Sequence, residues 1–311
     1  MWLRLPLPFA LDHVNVWLLA DGAGWTLVDT GYGDEATRAI WERVLAGRPL
    51  TRLIVTHFHP DHAGLAGWLA ARAEVPLAMS RNEWLTTRWL ALDGSEQLLE
   101  SADAHYAAAG LSRELRQRLR ARGNAYRRGV TLPPASFSRL AAGDAVMIGG
   151  VCWRLIIGEG HAPEQVTLWS AEHNLLLAAD QLLPRISPVV GVWPVQPEAD
   201  PLGDFQRSLE RYAALPEDVL VLPAHDRPYR GLHARRRQLA EHHAGRLARV
   251  ASLCRTPRTT AEVMDGLFAA NLDLHQRGFA LAETLAHLNR LLAEGRVARW
   301  REAGVWRWRS D

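Results

Sequence analysis

Four apolar runs in this chain end on a residue able to hold a metal ion, and that pattern limits the fold more than any other feature. TRLIVT leads into THFHPDHAG, where His57, His59, Asp61 and His62 crowd into six positions. VCWRLIIGEG ends at His161, LLLAA at Asp180 and DVLVLPA at His225. Short apolar runs are what the buried strands of a layered α/β sheet look like, and such folds build their sites where strands end along one edge. His57 and His59 alternate about one residue, so both point the same way from an extended segment. Pro60 then makes a turn that presents Asp61 and His62.

One loop supplies too few ligands for a metal site, so the other strand ends must complete it. The resulting count is His57, His59, His161 and Asp180 on one metal, and Asp61, His62, His225 and Asp180 on a second, with the Asp180 carboxylate bridging. Neutral imidazole and carboxylate suit zinc, iron or manganese. The competing reading, scattered loop histidines in a chain that has 13, does not account for the placement of each ligand just after an apolar strand.

The other segments fit the same class. HVNVWLLADGAGWTLVDTG reads as a hairpin around Asp21-Gly22, DEATRAIWERVL as a helix with an acidic start, AGLAGWLAARA as a second helix and VPLAMS as a strand. Residues 82–128 are rich in Arg, Ala and Leu without a strand signal, which predicts a helical insertion over about 82–135, a candidate lid. Strands resume with GDAVMIGG, and DPLGDFQRSLERYAAL is a helix. From 231 to 311 helices are followed by a hairpin around Ala303-Gly304, the order of a small winged-helix-like module after a catalytic domain spanning 1–230.

The 311 residues are 48% hydrophobic and carry a formal charge of +2, enough for a sizeable core and without a global basic field. Two cysteines, Cys152 and Cys254, make no disulfide framework and fit a reducing cytoplasm; Cys152, within a strand, is expected in the core. The N-terminus lacks a signal-peptide pattern and no apolar run is long enough to span a bilayer. His13, His233, His242 and His243 are expected on surfaces, with His233 the one candidate for the rim of the site.

His57, His59, Asp61 and His62, in the order HxHxDH, with His161, Asp180 and His225 further on, resemble the metallo-β-lactamase-fold hydrolase superfamily over roughly residues 10–230. The resemblance implies an αββα sandwich with a dinuclear site at one edge, two divalent ions (zinc first, iron or manganese as alternatives) and a metal-bridging hydroxide as nucleophile. Asp29 of VDTG matches a position behind the site that orients the metal loop. Asp61 is the candidate to orient the nucleophile and pass a proton to the leaving group. The chain departs from glyoxalase II relatives at Glu164 in GHAPEQ and at Asp226, where glycine is common.

The bridging aspartate disfavours β-lactams and is typical of thioesterases, lactonases and phosphodiesterases. The resemblance is closest to glyoxalase-II-like hydrolases, so a thioester or other carboxylic ester, of the acyl-coenzyme A or acylglutathione type, is the expected substrate. The segment QLLPRISPVVGVWP, with Trp193, is a candidate wall for an acyl pocket. Arg296, Arg299, Arg301, Arg307 and Arg309 interleave with Trp300, Trp306 and Trp308 in the tail, which raises cleavage of single-stranded RNA as an alternative. Alternation in a hairpin also turns tryptophans inward and arginines outward. Packing or homodimer contacts are therefore expected over nucleic acid, with no membrane partner. A non-catalytic sensor is the third reading, disfavoured by the complete ligand set.

Overall fold

A computed structural model describes residues 1–310. Strands β1 (Trp2–Pro6), β2 (His13–Asp21) and β3 (Gly24–Val28) are followed by α1 (Glu35–Val44), β4 (Leu50–Ile54), α2 (Pro60–Ala63), α3 (Ala66–Ala73) and β5 (Leu77–Met79). Helices α4 (Arg81–Leu92), α5 (Glu96–Ala108), α6 (Arg113–Ala121) and α7 (Tyr126–Gly129) come next. Then come β6 (Ser138–Arg139), β7 (Ala145–Ile148), β8 (Val151–Gly158), β9 (Gln165–Ser170) and β10 (Leu175–Ala179). The chain continues through α8 (Pro201–Glu210), β11 (Leu220–Pro223), α9 (Leu232–Leu253), α10 (Thr260–Leu267) and α11 (Leu274–Ala293). It closes on the antiparallel hairpin of β12 (Val297–Glu302) and β13 (Val305–Ser310).

Two sheets carry the site, one ordered β1-β2-β3-β4-β5-β6 and the other β11-β10-β9-β8-β7. The period of two in the sequence sorts their side chains. Leu27, Leu53, Leu77 and Met79 face a layer with Trp41 of α1 and Leu69 of α3. Their neighbours Val28, Ile54 and Ala78 face the other way, against Leu155, Ile157, Leu168, Leu177 and Leu222 of the second sheet. The result is a helix–sheet–sheet packing, as the expected αββα sandwich contains. Trp41 is fully buried and its Nε1 donates to the Thr30 carbonyl at 2.8 Å, which pins α1 beside the loop after β3.

The chain divides into two compact units. The first comprises Met1–Asp93, Asn124–Pro188 and Arg211–Arg235 and holds both sheets. The second comprises Gly94–Gly123, Val189–Glu210 and Arg236–Asp311. A linear reading cuts the chain at 230 and treats 82–135 as one insertion. In the structure α4 and α7 of that stretch belong to the first unit, and α5 and α6 to the second.

Other local expectations are corrected by alternation and burial. Cys152 is exposed rather than in the core. It shares the outward face of β8 with Arg154, while Trp153, Leu155 and Ile157 turn inward. Pro60 does not form a simple turn but starts the short helix α2, where its missing N–H is no loss. Gly64 ends α2, where a Cβ would stand 2.4 Å from the carbonyl oxygens of both Gly31 and Pro60, so no other residue fits that crossing. Strand β9 is hidden in the sequence because it is almost wholly buried and carries polar residues inside. Thr167 Oγ donates to the Ile156 carbonyl at 2.8 Å and Gln165 is fully buried.

Candidate metal centre

The seven anticipated residues meet at one edge of the two sheets. His57, His59, Asp61 and His62 follow β4, His161 follows β8, Asp180 follows β10 and His225 follows β11. The Val166 N–H donates to the Thr56 carbonyl at 2.9 Å, tying the sheets together at that edge. Three of the six non-glycine residues with left-handed backbone among those described stand here: Asp29, Ala179 beside Asp180, and Asp226 beside His225. Such a conformation costs about 1–3 kcal/mol. Each fully buried strand residue, such as Val28 next to Asp29, returns roughly 1.5–3 kcal/mol, enough to hold it.

The ligand atoms fall into two groups, His57, His59, His161 and Asp180 in one and Asp61, His62 and His225 in the other, each within 4.8 Å. In the first, His59 Nδ1 lies 3.0 Å from both His57 Nε2 and His161 Nε2, which are 3.3 Å apart. Four ligands at tetrahedral positions around zinc, with bonds near 2.0–2.1 Å, stand about 3.3 Å from one another. In the second, Asp61 Oδ2 is 3.6 Å from His62 Nε2 and 3.5 Å from His225 Nε2. Asp180 faces both groups: Oδ2 is 3.2 Å from His161 Nε2, and Oδ1 is 3.4 Å from His62 Nε2 and 3.3 Å from His225 Nε2.

Hydrogen bonds behind the site set which ring nitrogen faces inward. His225 Nδ1 donates to the His13 carbonyl at 2.8 Å, which turns Nε2 towards Asp61 and Asp180. His62 Nδ1 donates to Asp29 Oδ2 at 2.8 Å. Thr56 Oγ also donates to Asp29 Oδ2, at 2.9 Å, and accepts from His57 Nδ1 at 3.0 Å. The anticipated orienting role of Asp29 thus has a concrete form, one carboxylate that positions His62 directly and His57 through Thr56. The other oxygen, Oδ1, accepts the Thr56 N–H at 2.8 Å.

The electrostatics call for positive charge. Burial, then the neighbouring imidazoles, holds His57 and His59 well below the usual histidine range. His62 is raised because Asp61, Asp29 and Asp180 outweigh its burial. Burial would raise Asp180, but His225 and His62 outweigh it and hold it well below the carboxylate range. His62 Nε2 and Asp180 Oδ1 are buried with no hydrogen-bond partner. Imidazole nitrogens and carboxylate oxygens that converge at 3.0–3.6 Å are a donor set that fits a cation, and the cluster is compatible with a dinuclear divalent metal site.

Residues 10–225 match the family model of the metallo-beta-lactamase superfamily. The chain belongs to the metallo-β-lactamase superfamily. Residues 247–311 match a second model, the metallo-beta-lactamase-like C-terminal domain. Within this superfamily the chain is similar to a β-lactamase domain protein from Burkholderia ambifaria, at 40% identity and a TM-score of 0.91 over 100% of this chain and 92% of that one. It is also similar to the metallo-beta-lactamase family protein TTHA1429 from Thermus thermophilus, at 31% identity and 0.85 over 100% and 98%. The probable metallo-hydrolase YqjP of Bacillus subtilis (strain 168) is 25% identical over 97% of this chain and 95% of its own length.

Sequence reasoning missed several residues at this metallo-β-lactamase-superfamily edge. His13 is no surface histidine. Its carbonyl anchors His225, and its Nε2 accepts the Asp226 N–H at 2.9 Å. Glu83 is fully buried, and its carboxyl is pushed up to about 8 by burial, against the backbone N–H groups of Glu164 and Phe58. Tyr126 donates to the Phe58 carbonyl at 2.5 Å. His233 instead donates to the Leu215 carbonyl at 3.0 Å. In the proposed acyl wall, Arg185 pairs with Asp226 Oδ2 at 2.9 Å, and Trp193 packs edge-on to Phe279 within the second unit.

Proposed function

We propose that this chain is a metal-dependent hydrolase using two divalent ions, zinc in the first instance, on a thioester or other carboxylic ester. The observation that carries the reading is the Asp180 carboxylate, with one oxygen turned to each group of ligands. His57, His59 and His161 would hold one ion, and Asp61, His62 and His225 the other. When bound, two such ions lower the pKa of a shared water to about 7 and polarise the scissile carbonyl. Asp29, Thr56 and the His13 carbonyl keep the imidazole lone pairs aimed inward. Asp61 is the more exposed of the two carboxylates, its side chain 19% accessible against 8% for Asp180. It is placed to hold the proton released by the water and to hand it to the leaving group.

A thiolate leaving group needs little protonation, which suits a site where Asp61 is the more exposed of only two carboxylates among the ligands. The relative named a probable metallo-hydrolase supports the class without naming a substrate. The helix order α10, α11 and the hairpin β12–β13 supports a winged-helix-like reading of the tail. That hairpin buries Trp306 and Trp308, at 4% and 0% exposure, and sets Arg299 over both rings at 5.5 and 5.4 Å. Contrary to the expected alternation, Trp300 of β12 is 38% exposed and Arg299 is the residue turned inward. The burial of Trp306 and Trp308 in packing supports the ester reading over RNA. Among the described residues no helix is long and apolar enough to cross a membrane. The test is thiol release from a panel of acyl-coenzyme A and acylglutathione thioesters by the zinc-loaded protein. Turnover that vanishes in Asp61→Asn is expected. A panel without turnover, with zinc verified in the protein, overturns the thioester assignment in favour of lactones or phosphodiesters.

A further inference from the structure

Two ligand loops are clasped to the start of α4 by side chains that local rules would assign to a helix cap. Ser80 and Glu83 have the spacing of a capping box, in which each side chain bonds the other's backbone N–H. That box closes in α10, with Thr259 and Glu262, and in α11, with Asp273 and Gln276. In α4 the Ser80 side chain makes no cap bond. Its hydroxyl donates to the Glu164 carbonyl at 2.7 Å. Glu83 Oε2 accepts the Phe58 N–H at 2.9 Å, and Oε1 accepts the Glu164 N–H at 2.5 Å. The helix end is capped from outside, by Glu164, whose Oε2 accepts the Asn82 N–H at 2.9 Å.

These bonds bear on the ligands through the chain. Phe58 is the residue between His57 and His59, and its peptide is held on both sides, N–H by Glu83 and C=O by Tyr126. Glu164 lies three residues past His161, on the loop that delivers the third imidazole. A fully buried carboxyl group bridges the two loops with one oxygen facing each N–H. The ligands of the second group are anchored elsewhere, His62 on Asp29 and His225 on the His13 carbonyl.

We propose that Glu83, with Ser80 and Glu164, is a positioning clasp that sets the distance between the His57–His59 pair and His161, and so selectively controls the metal position formed by those three histidines. The proposal rests on the dinuclear reading above. Glu164, where glyoxalase II relatives carry glycine, is then part of the support of the metal loop.

The test is zinc binding by competition with a chromophoric chelator, with cobalt(II) spectra as a second readout, on the full chain. Wild type is expected to bind two equivalents. In Glu83→Gln the amide nitrogen must face one of the two N–H groups, so one equivalent should weaken about 10–100-fold while the other stays at wild-type affinity. Glu164→Ala should weaken the same equivalent by less, and Glu164→Gln, which keeps an acceptor for Asn82, should restore it. Both equivalents at wild-type affinity in Glu83→Gln overturns the proposal. So does equal loss of both with a lowered melting temperature, which marks general damage. If Glu83→Gln does not fold, Ser80→Ala and Glu164→Ala decide by the same selective loss or its absence. Wild type binding fewer than two equivalents overturns the dinuclear reading itself.

Discussion

The molecule buries histidines in two very different ways. In the first unit His57, His62, His161 and His225, from 0 to 7% exposed, share their space with Asp29, Asp61 and Asp180. In the second unit His243 and His287, each 1% exposed, lie 3.3 Å apart with Phe205 against His243, and Glu283, whose backbone carbonyl meets His287, has its carboxylate turned to Arg246 at 3.5 Å. His105 packs on Trp306. Burial first, then neighbouring imidazoles and Arg246, pushes His243 down to about 3; burial takes His287 and His105 to about 4. The same side chain is thus a core residue where rings surround it and a ligand candidate where carboxylates do. Burial alone does not separate the two cases; the company does.

The comparison breaks most sharply on ligand removal. His59→Ala should lower turnover by at least about 10³-fold and remove metal from the first group, because metal activation of water is worth several kcal/mol. The melting temperature of the metal-free protein should hardly change, since the variant removes one of three lone pairs facing each other at 3.0–3.3 Å. Full turnover with bound metal retained would make this cluster another structural one.

Asp29→Asn comes next. An amide keeps one oxygen but cannot accept Thr56 Oγ, the Thr56 N–H and His62 Nδ1 as the carboxylate does. Metal affinity should fall about 10–100-fold, read by chelator competition. An unchanged affinity would reduce Asp29 to a turn residue.

The third effect belongs to the second unit and appears only with pH. His243 and His287 stay neutral when folded down to about 3 and 4, whereas the unfolded chain takes up their protons near 6.5. The unfolded state therefore binds more protons below 6.5, and stability is full above that value and falls as pH drops toward 4. The loss is at most about 3 kcal/mol for each histidine. Urea unfolding of His287→Leu between pH 7 and 4 should show a flatter acid branch than wild type, with zinc binding unchanged at pH 7. A branch of equal slope would contradict the assignment.

How much of this is legible follows from what sequence encodes. The seven residues of the two groups can be placed together because four apolar runs end on them, His59, Asp61 and His62 following His57 on one loop, and strand ends on one edge converge whatever the loops do. Asp29 is legible through the VDTG resemblance. Glu83, Tyr126 and the His13 carbonyl are not: Glu83 and Tyr126 act on the backbone of Phe58 and Glu164, and His13 holds the His225 ring through its own carbonyl, and a backbone N–H or C=O leaves no mark in the residue string. Ser80 and Glu83 do leave a signal, but it reads as a local cap. His243 is expected on a surface beside His242. In a helix successive residues point about 100° apart, and only His242 faces outward. The interleaving of the two units is hidden as well, since α5 and α6 read no differently from α4.

Equilibrium dialysis of the metal-free full chain against zinc, with elemental analysis of wild type and Asp180→Ala, tests the central claim most directly. Two zinc ions per chain in wild type, with affinity lost at both positions in the variant, is the predicted result. A wild type that saturates at one zinc, or a variant that keeps two at undiminished affinity, would contradict the claim that Asp180 serves both groups.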